Sequence, residues 1–122
     1  MIGLDPTRVP GPWDPAPVVE RIAAGMARFA EAGIGAETCL VGLDGSDGDP
    51  DVDGGAGIVA VVTAALQRQP WEVVVVGGGI RSTEGLLFER VLNAVHRSAP
   101  QAAIAFNDAP DTTFEAAARW LT

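Results

Sequence analysis

Lysine is missing from this chain of 122 residues, and all eight of its basic residues are arginine. This absence excludes a Walker-type nucleotide site, a Schiff-base enzyme and a response-regulator receiver, because each of them needs a lysine. Basic residues of any kind are few against 16 acidic ones, and the net charge is −8. We therefore expect no nucleic-acid partner and no membrane partner, since nucleic acids and anionic membranes both require a basic protein surface.

Cysteine and histidine occur once each, as Cys39 and His96. A single cysteine forms no internal disulfide, and the sequence shows neither a signal-peptide pattern nor a long apolar run, so we expect a cytoplasmic protein. Cys39 stands among apolar residues and is predicted to belong to the core. His96 falls in the last turn of a predicted helix, away from the expected ligand-binding edge of the sheet. Neither residue supports a nucleophile–histidine hydrolase.

Strand-like and helix-like segments alternate along the whole chain. Strands are predicted at residues 1–4, 37–43, 71–76 and 101–106, and helices at 14–33, 58–69, 83–98 and from 112 onward. Residues 73–76 are consecutive valines, which is typical of a strand covered by helices on both faces. The pattern predicts a single α/β domain over residues 1–122: a doubly wound parallel sheet of about four strands in the flavodoxin-like order 2-1-3-4. Because Pro6 follows so closely, the first strand is expected to be abnormally short for a central strand.

Four segments of the chain resemble a family of small bacterial and fungal proteins of flavodoxin-like architecture and unknown function. These segments are residues 2–6 (IGLDP), 76–81 (VGGGIR), 87–96 (LFERVLNAVH) and 99–107 (APQAAIAFN). The resemblance extends over most of the chain; it implies the fold and brings no established reaction. Members of the family carry further strand residues before the position of Ile2 and a shorter loop after the second strand. The alternative that the true N-terminus lies upstream of Met1 therefore stays open.

The glycines that follow the valine run predict a tight connection between the third strand and the third helix. Bare glycine N–H groups, a helix N-terminus capped by a hydroxyl side chain and one arginine together favour anion binding. The candidate residues are Gly77, Gly78, Gly79, Arg81, Ser82 and Thr83. The alternative is that the glycines serve only the geometry of the connection. A nicotinamide cofactor is not expected, because Ser82 stands where a dinucleotide site has its third glycine, and the sequence assigns no other cofactor.

Aspartates follow three of the predicted strands. In an open α/β sheet, ligands bind beyond the carboxyl ends of the strands where the strand order reverses, here between the loops after the first and third strands. Asp5, Asp44 and Asp108 stand at this edge and are candidates for a divalent-cation site, and Asp5 is also the candidate acid–base group. The alternative is that they cap turns and helices. The acidic loop 44–57 imitates part of a calcium loop, but Ala60 stands where the glutamate belongs, which favours a solvated loop.

Two hypotheses for the function follow from these patterns. The first is binding of a small anionic ligand, a phosphorylated or carboxylated metabolite, at this crevice, with catalysis left open. The second is a non-catalytic assembly or regulatory module, because apolar residues occupy more than one face of the third helix. These residues are Leu86, Leu87, Phe88, Val91, Leu92 and Val95. A homodimer through this helix is expected, since a twofold contact lets one patch bury itself.

Overall fold

The computed structural model describes residues 1–83 and 85–121. In this part of the chain the sheet has four parallel strands: β1 (Ile2–Leu4), β2 (Cys39–Val41), β3 (Val73–Val76) and β4 (Ala103–Phe106). They lie in the order β2-β1-β3-β4, so the predicted fold class and strand order are confirmed. All four strands are shorter than predicted.

Helices connect and follow the strands. The α-helices of the described residues are α1 (Ala16–Glu31), α2 (Pro50–Asp53), α3 (Ala56–Leu66), α4 (Gly78–Arg81), α5 (Leu87–Ser98) and α6 (Thr113–Ala118). Short 3₁₀ helices, Pro6–Arg8 and Pro110–Thr112, come after β1 and β4. The start of α1 is stabilised by Asp14, whose carboxylate accepts a hydrogen bond from the Ala16 N–H at 3.0 Å.

Both faces of the sheet are covered, as the valine run predicts. Successive side chains of a strand point to opposite faces. Val74 and Val76 accordingly pack in one core with α3 and α5, and Val75 packs in a second core with α1 and α6. Helices therefore lie on opposite sides of the sheet, which is the doubly wound arrangement.

The bounds predicted for the third helix, residues 83–98, are wrong at the amino-terminal end. The chain enters α4 directly at the glycines and passes through a turn, and α5 begins only at Leu87. Residue 84 lies outside the described residues. The Ser82 hydroxyl donates to the Gly78 carbonyl at 2.7 Å and the Thr83 hydroxyl to the Ile80 carbonyl at 2.7 Å. Both hydroxyls thus bind carbonyl groups of α4, and the prediction that one of them caps the following helix is wrong.

The acidic loop also contains a helix, α2, that the sequence analysis did not predict. Asp49 caps it by accepting a hydrogen bond from the Asp51 N–H at 2.9 Å, and Asp53 accepts one from the Gly55 N–H at 2.8 Å. The aspartates of this loop therefore satisfy backbone N–H groups at the surface.

The central strand β1 is short, as predicted. It pairs with β2 along its whole length, but with β3 only between Ile2 and Val76. The amino-terminal half of β3 consequently has β4 on one side and no strand on the other within the described residues.

Candidate functional site

A cavity lies at the crevice between the loops after β1 and β3. Its volume is about 250 Å³. The lining comes from β1 and its loop, from α1, from the glycine turn and from the loop after β4, and includes Leu4, Val9, Trp13, Val18, Ile22, Gly77, Gly78, Gly79, Asn107 and Asp108. This is the point where the strand order reverses, so the cavity lies where the sequence analysis expects a ligand.

The glycine turn forms one wall of this cavity. Gly77 continues the sheet, because its N–H donates to the Ile2 carbonyl at 2.8 Å. Gly79 packs against Leu4 so closely that an added Cβ would lie 2.9 Å from the Leu4 Cδ1 atom. Close packing therefore explains why glycine is needed there, which supports the purely geometric alternative for this position.

The same turn also offers free hydrogen-bond donors. The first N–H groups of any helix lack intrahelical acceptors. No acceptor within residues 1–83 and 85–121 is found for the N–H groups of Gly78, Gly79 and Ile80 at the start of α4. Gly78 and Gly79 line the cavity, so the donors that the anion hypothesis requires are present at its wall.

Arg81 lies beside the turn but is bound to the protein's own carbonyl groups. Its guanidinium donates to the Val76 carbonyl at 2.7 Å and to the Asn107 carbonyl at 2.7 Å, and it stacks over the Phe106 ring at 5.2 Å from the centroid. Arg81 thus ties the carboxyl end of β3 to that of β4. It does not line the cavity, and neither do Ser82 and Thr83.

Removing the guanidinium is expected to destabilise the protein. In the Arg81→Ala variant, two carbonyl groups at the strand ends lose their donor, which we expect to lower the free energy of unfolding by about 2 kcal/mol. Urea denaturation of this variant beside Arg97→Ala, an exposed arginine in α5, provides the test. Equal unfolding midpoints for both variants and the wild type would contradict the structural role of Arg81.

The candidate carboxylates do not converge. Asp5 accepts hydrogen bonds from the Thr7 hydroxyl at 2.7 Å and from Arg8 Nε at 3.0 Å, and these bonds hold the pKa of Asp5 below its ordinary value. Asp44 binds Ser46 instead, and hydrogen bonds from Ser46 lower the pKa of Asp44. Among the described residues, no group of three His, Cys, Asp or Glu side chains is placed to hold a metal ion. The alternative that these aspartates cap turns is confirmed for Asp5 and Asp44.

Asp108 is the candidate carboxylate that does reach the cavity. It is exposed at the end of β4, and it lines the cavity together with Asn107. Asn107 is only 3% exposed, and its amide donates to the Thr113 hydroxyl at 3.0 Å. The rim after β4 is therefore fixed by a buried side chain and carries an exposed aspartate beside the cavity.

Arg8 organises the loops after β1 and β2, a role that the sequence analysis did not identify. Its guanidinium contacts Asp47 Oδ2 at 2.7 Å and donates to the Leu40 carbonyl at 2.9 Å, in addition to its bond to Asp5. Asp47 lies 39 positions away from Arg8 in the sequence. No local pattern links the two residues, because their contact exists only once β1 and β2 are adjacent.

His96 and Cys39 lie away from this crevice, as predicted. His96 is exposed in the last turn of α5. Cys39 is half-buried in β2, and burial raises the pKa of its thiol. Neither residue lines the cavity.

Comparison with protein-family models, with curated proteins and with solved structures finds no match for this chain. The flavodoxin-like fold is therefore supported by the structure alone, and membership of the family of unknown function stays a prediction. No helix in the described part of the chain combines the length and the apolar character that crossing a membrane requires.

Proposed function

We propose that the protein binds a small metabolite carrying a phosphate or carboxylate group in the crevice between the β1 and β3 loops. The observation that carries this proposal is the cavity of about 250 Å³ at the reversal point of the sheet. A cavity of this size suits a small metabolite better than a dinucleotide, because typical ligand pockets begin at about 300 Å³.

The lining suggests how such a ligand would be oriented. The free N–H groups of Gly78 and Gly79 at the start of α4 would bind the anionic group, and the positive charge of Arg81 stands beside them. Trp13 and Ile22 supply an apolar wall for the remainder of the ligand. Asp108, on the rim, would accept a hydrogen bond from a ligand hydroxyl or amine.

The proposed function is ligand binding and includes no catalysed reaction. Asp5, the acid–base candidate from the sequence, does not line the cavity and has its carboxylate bound to Thr7 and Arg8. An acid–base step would have to use Asp108, which is the carboxylate among the described lining residues.

A thermal-shift titration tests the binding proposal. Inorganic phosphate, sugar phosphates, nucleotides and small carboxylic acids are added to the wild type and to the Trp13→Ala and Trp120→Ala variants. Both tryptophans are exposed, by 41% and 54%, but of the two only Trp13 lines the cavity. A ligand at a hundred times its dissociation constant should stabilise the wild type by about 2.7 kcal/mol.

We expect Trp120→Ala to keep this stabilisation and Trp13→Ala to lose most of it, because the apolar wall of the cavity is removed. If no compound shifts the wild type, or if Trp13→Ala responds as well as Trp120→Ala, binding at this crevice is wrong.

The second candidate function, a dimeric assembly module, is favoured by one surface. The edge strand β4 exposes Ile104 and Phe106 by 38% and 43%, and Leu86, just before α5, is 56% exposed. Phe106 packs edge-to-face on Phe88 of α5, so strand edge and helix form a continuous surface. Leu87, by contrast, is buried in the protein's own core. The dimer proposal therefore shifts from the whole helix to this β4–α5 surface.

Light scattering tests the dimer. We expect the mass of two chains at micromolar concentration for the wild type and for Val52→Glu, since Val52 is 83% exposed in α2 and belongs to neither β4 nor α5. Phe106→Glu should give the mass of one chain, because a carboxylate in an apolar interface is costly. A monomeric wild type would contradict assembly through this surface.

A further inference from the structure

The cavity between the β1 and β3 loops is walled mainly by apolar side chains. They come from β1, from the loop that follows it and from the first half of α1, and they are Leu4, Pro6, Val9, Trp13, Val18 and Ile22. A ligand in this cavity therefore contacts hydrocarbon over most of its surface, so the few polar groups of the lining decide its remaining chemistry.

The polar side chains of the lining are already bound within the protein. The Trp13 indole N–H donates to the Val9 carbonyl at 3.1 Å. The Asn107 amide donates to the Thr113 hydroxyl at 3.0 Å. Pairing either donor with a ligand hydroxyl would break a bond that the protein already makes, which removes most of the gain.

The backbone donors on the rim after β4 are bound as well. The N–H groups of Asp108 and Ala109 both donate to the Thr112 hydroxyl, at 3.2 Å and 3.1 Å. Asp108 then offers its carboxylate, which accepts hydrogen bonds and donates none. The several hydroxyls of a sugar would therefore find too few partners in this cavity, whereas an apolar body needs none.

The donors and charges at the glycine turn fit a carboxylate better than a phosphate. The Arg81 guanidinium is bound to two backbone carbonyl groups, so paired hydrogen bonds to a ligand are not available from it. The N–H groups of Gly78 and Gly79 remain at the cavity wall, and two donors match the two oxygens of a carboxylate. A phosphate monoester brings three oxygens and a charge of about −1.5 to −2, which the Asp108 carboxylate repels more strongly than a single charge.

We propose that the ligand of this crevice is an apolar monocarboxylic acid with an aromatic or branched aliphatic body. This ligand class rests on the proposed binding function and narrows it, because phosphate esters and sugar acids are excluded. The carboxylate meets the N–H groups of Gly78 and Gly79, and the body lies against Trp13, Val18 and Ile22. An apolar cavity of about 150 Å³ binds benzene. The volume here, about 250 Å³, therefore has room for one six-membered ring and its carboxylate.

Four compounds with one six-membered ring test the proposal in an NMR titration of the ¹⁵N-labelled protein. They are cyclohexanecarboxylate, cyclohexanecarboxamide, cyclohexyl phosphate and glucuronate. Cyclohexanecarboxylate should bind at least about a hundredfold more tightly than glucuronate, whose hydroxyls lack partners, and about tenfold more tightly than cyclohexyl phosphate. It should also bind about tenfold more tightly than the carboxamide, which has the same shape and no charge.

The same spectra locate the ligand. The amide signals of Gly78 and Gly79 and the indole N–H signal of Trp13 should shift on addition of cyclohexanecarboxylate, because these groups line the cavity. The indole signal of Trp120, which does not line it, should stay in place. Shifts at Trp120 without shifts at Trp13 would place the ligand elsewhere and overturn the proposal.

Two matched variants isolate the apolar contact. Val18 and Val19 are neighbours in α1, but of the two only Val18 lines the cavity, and Val19 is 41% exposed. Val18→Ser should weaken the binding of cyclohexanecarboxylate about tenfold and that of glucuronate much less, because apolar contact is removed. Val19→Ser should leave all the affinities unchanged.

The outcomes distinguish a wrong ligand class from a wrong binding site. If glucuronate or cyclohexyl phosphate binds as tightly as cyclohexanecarboxylate and shifts Gly78 and Gly79, the ligand class is wrong and anion binding at the crevice stands. Equal affinities of the Val18→Ser and Val19→Ser variants for cyclohexanecarboxylate would also overturn the ligand class alone. Equal affinities of the carboxylate and the carboxamide, or no binding by any of the four compounds, would contradict the anion site and the ligand class together.

Discussion

Replacing Gly25 by valine is expected to lower the free energy of unfolding by about 3 kcal/mol, at the upper end of the usual cost of overpacking. Gly25 lies buried in α1 where this helix crosses the 3₁₀ helix Pro110–Thr112. An added Cβ would overlap the Pro110 carbonyl oxygen and would lie 3.2 Å from the Pro110 carbonyl carbon and 3.3 Å from the Asp111 Cα. All three neighbours are backbone atoms, so no rotamer change relieves the contact, and the helix has to move.

The direction of the change in unfolding free energy on replacing Gly25 by alanine distinguishes this clash from the ordinary effect of helix propensity. Glycine to alanine inside a helix normally stabilises by about 1 kcal/mol. Gly25→Ala should instead destabilise, because the overlap arises at the Cβ itself. Gly35→Ala controls for the added methyl group alone, since Gly35 lies outside the helices and no atom lies within 4 Å of its added Cβ. Urea denaturation gives the comparison, and a Gly25→Ala protein as stable as the wild type would show that α1 and the 3₁₀ helix are not locked together.

The fold could be predicted because its signals are local. Four consecutive valines specify a strand covered on both faces, and apolar spacing specifies the main helices. The handedness of helical crossovers then leaves few possible strand orders. The predicted start of the helix after β3 was less accurate. Glycine does not indicate a helix, and yet Gly78 and Gly79 form the first turn of α4.

The location of the candidate site could also be predicted, since it follows from strand order alone. The roles of individual side chains could not. Arg81 binds the Asn107 carbonyl, 26 positions further along, and Arg8 binds Asp47, 39 positions further along. The sequence does not show which backbone carbonyl groups an arginine will contact. An arginine that binds two strand ends therefore cannot be distinguished, from the sequence, from one that binds an anion. For Asp5 and Asp44, the local turn alternative was available and is the one the structure adopts.

The free energy of unfolding is expected to rise by about 2 kcal/mol between pH 6 and pH 8, owing to the amino terminus alone. The Met1 amine donates to the Glu37 carbonyl, and its burial lowers its pKa from 8.0 to about 6 in the folded protein. Below pH 6 the amine is charged in both states, and the folded state bears the full cost of burying the charge. Between the two pKa values the unfolded chain binds more protons than the folded one, so stability rises with pH. Above pH 8 the contribution is constant.

Urea denaturation at half-unit steps from pH 5 to pH 9 measures this profile. Asp5, Asp44 and Asp111 do not contribute within the window, because hydrogen bonds lower the pKa of each below 3.8 in the folded state. The thiol of Cys39 also titrates outside it, since burial raises its pKa above 9.0. His96→Gln should keep the rise, because His96 is exposed at the surface of α5. Acetylating the Met1 amine should abolish the rise, since an amide does not titrate. A profile that is flat from pH 6 to pH 8 in the unmodified protein would mean that the folded state keeps the amine hydrated. A rise that survives acetylation would mean that another group causes it.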